Sequence, residues 1–150
     1  VVSFDSLLSE HAQRNSNDDA INNAIIFFIG NTPYCIDFIM FVPPSISGTL
    51  VENFAKKIAQ ILDIPFSYAV EKIKETEPQK RFRNSYLKRD NVKDSFTINN
   101  TDVTDKTILL IDDIYDSGAT LKEIGKVLTK SGATEIIPLV IAKTVGRDND

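Results

Sequence analysis

Between Thr107 and Ile111 the chain runs Thr-Ile-Leu-Leu-Ile, and it then breaks into Asp112-Asp113-Ile114-Tyr115-Asp116-Ser117-Gly118-Ala119-Thr120. A β-branched and leucine run of this kind is a buried strand. Leu121, Ile124, Val127 and Leu128 follow at helical spacing until Gly132 supplies the stop, and Ile136 to Ala142 is a further apolar strand. Strand, helix, strand in this order requires a parallel pair joined by a right-handed crossover. The same grammar occurs earlier in the chain. Cys35 to Val42 reads as a strand buried on both faces and stopped by Pro43-Pro44. Leu50, Val51, Phe54, Ile58, Ile61 and Leu62 then recur at helical spacing up to Asp63-Ile64-Pro65. Phe66 to Val70 reads as another strand, and the polar stretch Lys72 to Lys93 as a loop or exposed helix. The fold class expected is α/β, an open, mostly parallel sheet with helices on both faces.

With 150 residues, 42% of them hydrophobic and 25% charged, the chain suits one domain over 1–150. A net charge of -4 excludes a surface that grips nucleic acid over its whole extent but leaves room for a local basic patch. The single cysteine, Cys35, excludes an internal disulfide framework and a multi-cysteine zinc site. It is read as a core residue of a cytoplasmic protein. No run approaches the roughly 18 apolar residues of a membrane span, and no signal-peptide pattern opens the chain. Asn99-Asn100-Thr101 is accordingly read as a turn. The chain begins with Val1 and its one methionine is Met40, so it is read as a piece of a longer polypeptide.

The stretch after Ile111 carries the chemistry. Ligands of open parallel sheets bind beyond the carboxyl ends of the strands. Ser117, Gly118 and Ala119 are small enough for successive backbone N–H groups to converge on an anion, and the following helix start adds the positive end of its dipole. Ser117 and Thr120 add hydroxyl donors. Asp112 and Asp113 are placed to accept hydrogen bonds from vicinal hydroxyls and to offset positive charge on a sugar carbon losing its leaving group. A phosphate beside a diol acceptor describes ribose 5-phosphate. Each residue also has a purely structural reading, with Asp112 and Asp113 capping a turn and Asp116 capping the helix.

A hydrophobic strand, two acids, two variable positions and a small-residue Asp-Ser-Gly-x-Thr loop resemble the phosphoribosyl pyrophosphate signature of type I phosphoribosyltransferases. The resemblance implies that Asp112 and Asp113 hold the ribose hydroxyls and that Asp116, Ser117, Gly118, Ala119 and Thr120 wrap the 5-phosphate. It also implies that Mg2+ arrives with the pyrophosphate, near Asp112 and Asp113 and without direct protein ligands, and that the turn Ser45, Ile46 and Ser47 holds pyrophosphate through backbone amides. Many members carry Thr where this chain has Asp116. A carboxylate beside a phosphate weakens binding unless its side chain points away, so Asp116 is read as serving another purpose. In purine-specific members an Asp there is a candidate general base and a Lys after the last strand contacts the purine carbonyl. Asp116 and Lys143 match those positions.

The pair Pro78-Gln79 with the string Arg89-Asp90-Asn91-Val92 and Phe96 resembles the ComF group of phosphoribosyltransferase-like competence proteins, and the chain carries a longer pattern of Phe41-Val42-Pro43-Pro44-Ser45, Asn53-Phe54-Ala55, Gln79-Lys80, Asn84-Ser85-Tyr86-Leu87-Lys88-Arg89-Asp90-Asn91-Val92 and Asp112-Asp113-Ile114-Tyr115-Asp116-Ser117-Gly118. It looks most like the domain at the C-terminus of some bacterial RecQ-type DNA helicases. Little or no base-selecting hood is expected, since only residues before Cys35 could form one. The helicase motor itself has no counterpart, because Gly125-Lys126 is followed by Val127 inside a helical pattern. Two functions are therefore expected of the domain. One is transfer of phosphoribose to a purine-like base. The other is sensing of phosphoribosyl pyrophosphate or a nucleoside monophosphate, or engagement of DNA through the basic 72–93 segment or a parent helicase. Oligomerisation is left open.

Overall fold

The structure is a computed structural model that describes residues 2–3, 35–44, 48–77 and 85–143. The strands are β1 (Val2–Ser3), β2 (Phe38–Phe41), β3 (Val70–Lys72), β4 (Phe96–Ile98), β5 (Thr107–Tyr115) and β6 (Glu135–Lys143). The helices are α1 (Leu50–Leu62), α2 (Ser85–Val92) and α3 (Ala119–Lys130). Four strands form a wholly parallel sheet in the order β1-β6-β5-β2. β3 and β4 form a separate antiparallel ribbon.

Strand alternation explains why β5 is apolar without interruption. Ile108 and Leu110, with Met40 and Val140, point to one face, where they pack with Leu121, Ile124 and Leu128 of α3 and with Val92 and Phe96. Leu109 and Ile111, with Ile39, Phe41 and Leu139, point to the other, against Val51, Ala55, Ile58 and Ala59 of α1. Both faces are thus covered, as the open parallel α/β architecture requires. Among the described residues, no helix is long and apolar enough to cross a membrane.

α1 ends where Asp63 takes a left-handed conformation, φ 53°, and donates its N–H to the carbonyl of Ala59. α3 ends at Lys130, and Gly132 adopts φ +99° with its Cα hydrogen facing the backbone of Thr104. A Cβ at Gly132 would lie 3.2 Å from the Thr104 Cα. Gly132→Ala is therefore expected to cost about 1–2 kcal/mol, read as a lower urea midpoint with an unchanged slope.

Three expectations from the sequence need correction. The strand expected from Cys35 starts at Phe38, and Cys35 is exposed rather than a core residue. The cause is Asp37, whose carboxylate accepts the Thr107 N–H at 2.9 Å and the Lys106 ammonium at 3.3 Å, closing the ladder at its head. Phe66 to Val70 is not a strand of the main sheet. Phe66 makes one parallel bridge to Ile39, flanked by an aromatic cluster with Phe41 and Tyr68, and the strand forms instead at Val70–Lys72. Pro65 has no N–H to extend the edge, whereas Phe96–Ile98 offers Val70–Lys72 a partner. Finally, β5 does not stop at Ile111 but continues through Tyr115, because β6 pairs beside it as far as Tyr115↔Lys143.

Candidate functional site

The order of the strands fixes where a crevice opens. From β2 the chain climbs through α1 and returns at Phe66 on the side of β2 away from β5. From β5 it passes through α3 to β6 on the opposite side. The connections leaving the carboxyl ends of β2 and β5 thus diverge, one to each face of the sheet. Such a topological switch point is where open α/β sheets bind ligands. The connections that leave those ends are the one from β2 to α1, residues 43–49, and the turn from β5 into α3. Of the first, Ser45, Ile46 and Ser47 lie outside the described residues, as does 78–84 of the basic segment, with Lys80, Arg81 and Arg83.

Asp112 and Asp113 are neighbours on a strand and so alternate between faces. Asp112 is 9% exposed and Asp113 is open to solvent. The Asp113 N–H donates to Asp112 Oδ1 at 2.9 Å, and the Ile114 N–H donates to Asp113 Oδ1 at 2.7 Å. Burial, and after it the like charge of Asp113, pushes the Asp112 carboxyl up to about 7, against the opposing pull of the Asp113 N–H. A carboxyl balanced between its two protonation states near neutral pH, at the mouth of a switch-point crevice, is the pattern of a functional acid.

Tyr115 closes β5, and its ring lies over Gly118, which turns the chain with φ +69°. A Cβ there would fall 2.8 Å from Tyr115 Cε2. Gly118 occupies the N-cap position of α3 without any side-chain capping bond, so Asp116 is not the helix cap that its residue type suggested. Ser117 Oγ accepts the Ala119 N–H at 3.3 Å. The start of α3 at Ala119 and Thr120 brings the first-turn N–H groups and the dipole's positive end to the turn.

Asp116 forms an ion pair with Lys88 of α2, a partner 28 residues away that the sequence reading did not supply. α2 is held in place by Val92, 3% exposed, and by buried Glu123 of α3, which accepts the Asp94 N–H at 3.0 Å. Lys88 precedes Val92 by one helical turn and shares its inward face. The signal for such a cation was present in the sequence: an acid beside a turn expected to hold an anion calls for a countercharge. Lys143 sits beside Tyr115 in the sheet register, at the end of β6.

The sequence matches the family described as phosphoribosyl transferase domain over residues 14–148. A curated relative, the transcriptional regulator GfcR of Methanosphaera stadtmanae, is 25% identical over 89 residues, covering 59% of this chain and 45% of the relative. Adenine phosphoribosyltransferase from Saccharomyces cerevisiae superposes with a TM-score of 0.59 at 16% identity, over 89% of this chain and 72% of that one. Glutamine phosphoribosylpyrophosphate amidotransferase from B. subtilis gives 0.53 at 20%, over 90% and 30%. The chain thus spans less than half the length of its curated relative, and at these identities the solved structures speak for the fold alone. The family match extends over most of the chain and includes β2, β5 with its acid-rich end and β6, so the chain belongs to the phosphoribosyl transferase domain family.

Proposed function

We propose that the domain binds phosphoribosyl pyrophosphate with magnesium at the carboxyl ends of β2 and β5 and transfers phosphoribose to a purine-like base. One observation carries this reading: buried Asp112 and exposed Asp113 lie near the carboxyl end of β5 at the switch point, a few residues before the Gly118 turn into α3. In this reading Asp112 and Asp113 accept the ribose hydroxyls. The turn from Asp116 to Thr120 takes the 5-phosphate on backbone amides and hydroxyls, and Ser45, Ile46 and Ser47 face the pyrophosphate. The bond from the anomeric carbon to pyrophosphate breaks with its electron pair leaving on oxygen. The base nitrogen then bonds to that carbon and gives up a proton, for which Asp116 is the acceptor, while Lys143 faces the base carbonyl.

Among the described residues no three His, Cys, Asp or Glu side chains gather as a metal cage. The donors at the site are carboxylate oxygens, which suit magnesium held mainly by phosphate oxygens and water. When bound, magnesium neutralises charge on the departing pyrophosphate. In this reading the ion is carried in by the substrate and lies near Asp112 and Asp113.

A second reading has its own support. The curated relative is a transcriptional regulator, and Asp116 is already engaged by Lys88. Both favour a module that senses phosphoribosyl pyrophosphate or a nucleoside monophosphate, or that helps a larger protein engage DNA. The resemblance to ComF-type and helicase-attached domains points the same way. Fold and ligand site do not dictate turnover. Incubation with phosphoribosyl pyrophosphate, magnesium and a panel of purine bases separates the two. Pyrophosphate release that requires a base is expected of the transferase. Saturable binding with no release would overturn the transferase in favour of the sensor. Retention of single-stranded DNA that falls steeply with salt would point to the accessory role.

A further inference from the structure

We infer that Lys88 is the countercharge that allows an aspartate to stand in the phosphate loop, and that an entering phosphate draws Lys88 away from Asp116. The inference rests on the phosphate-site reading above and adds a residue and an order of events to it. The observations are the ion pair itself and the way it is built. Asp116 lies between the end of β5 and the turn at Ser117 and Gly118, where an added carboxylate repels any anion. Lys88 approaches from α2, a separate element, and its side chain is 13% exposed against 35% for Asp116. The lysine end of the pair is partly withdrawn from water while the Asp116 end stays open to it, so solvent screening moderates the attraction. α2 is fixed independently of the pair, by Val92 in the core and by the Glu123 carboxylate on the Asp94 N–H. Lys88 is consequently delivered to the loop by packing rather than by its attraction to Asp116.

Without a ligand, Lys88 neutralises Asp116. When a phosphate enters, its two negative charges compete for the same ammonium, and the loop amides and Lys88 share the anion. Asp116 is then released from Lys88 only when the phosphorylated ligand is in place. A carboxylate meant to accept a proton from a base would in this way become available after the sugar phosphate is bound and not before. Lys88 is a phosphate-binding residue in this scheme and sets the preference for phosphorylated over unphosphorylated ribose.

The test is calorimetric titration of the folded chain with phosphoribosyl pyrophosphate, ribose 5-phosphate and ribose, each with magnesium. The variants are Lys88→Ala, Lys88→Arg, Asp116→Thr and Lys88→Ala/Asp116→Thr, each checked by urea unfolding. Lys88→Ala is expected to weaken both phosphorylated ligands by roughly tenfold or more. In the Asp116→Thr background the same change is expected to cost still more, roughly thirtyfold or above, because Lys88 there meets the phosphate without first giving up a carboxylate. Lys88→Arg keeps the affinity. A purely structural tie between α2 and the loop would lower affinity equally in both backgrounds, or lower stability alone, and either result overturns the inference while leaving the phosphate site intact. Failure of the native chain to bind either phosphorylated ligand would instead overturn the phosphate-site reading, and the inference with it.

Discussion

Asp112→Asn is expected to make the domain more stable than the native chain at pH 8.5, by roughly 2–4 kcal/mol, and to leave its stability near pH 4 almost unchanged. The Asp112 carboxyl is raised from 3.8 to about 7 in the fold, first by burial and then by Asp113. Below about pH 4 both the folded and the unfolded chain carry the proton, and the fold has its full stability with respect to this group. As the pH rises towards 7 the unfolded chain ionises while the fold still holds the proton, so stability falls. Above pH 7 the buried charge is present in both states and the whole difference is lost. Asn has the same shape and can accept the Asp113 N–H that Oδ1 takes at 2.9 Å, but it does not titrate. Urea unfolding of the two proteins from pH 4 to 8.5 should therefore give curves that diverge between pH 4 and 7 and run parallel above. Curves parallel throughout would mean that Asp112 titrates as an ordinary surface acid. A charge retained at this cost in a strand end is the expected mark of a group kept for binding.

Gly118→Val should lower stability by roughly 2–4 kcal/mol and reduce affinity for phosphoribosyl pyrophosphate by roughly tenfold or more. The backbone at φ +69° is unfavourable for any L side chain and most of all for a β-branched one. The new Cβ would also lie 2.8 Å from Tyr115 Cε2 and 2.9 Å from its hydroxyl oxygen, so the ring has to swing away. Tyr115 closes β5 in register with Lys143, and the displacement would reach the loop proposed to hold the phosphate. Gly125→Ala is the control. A Cβ there meets nothing within 4 Å, and in the middle of α3 it should stabilise by about 0.5–1 kcal/mol. An affinity unchanged in Gly118→Val, with the fold intact, would show that the turn does not touch the ligand.

What could be read from the sequence follows from how locally each feature is encoded. β5, β6, α1 and α3 were legible because their apolar residues recur at one period and their ends carry Asp63 or Gly132 in left-handed backbone. The β3–β4 ribbon was not, because Val70–Lys72 and Phe96–Ile98 are three residues each and become strands only by pairing with one another. The extension of β5 to Tyr115 was hidden for a similar reason, since it depends on β6 running beside it. At the site, the acids and the small-residue turn stand out in the sequence. That Asp112 is buried while Asp113 is exposed follows from strand continuation, and the Lys88–Asp116 pair follows from the docking of α2 on α3. Neither is a property of a local pattern.

The most direct test of phosphoribosyl pyrophosphate binding at the end of β5 is one calorimetric titration of that ligand with magnesium, at pH 8, into the native chain and into Asp112→Asn/Asp113→Asn. Saturable one-to-one binding by the native chain, weakened by roughly a hundredfold or more in the variant, is the expected result. Equal affinity in both proteins, with the variant folded, would contradict the assignment of the ribose site to these two carboxylates.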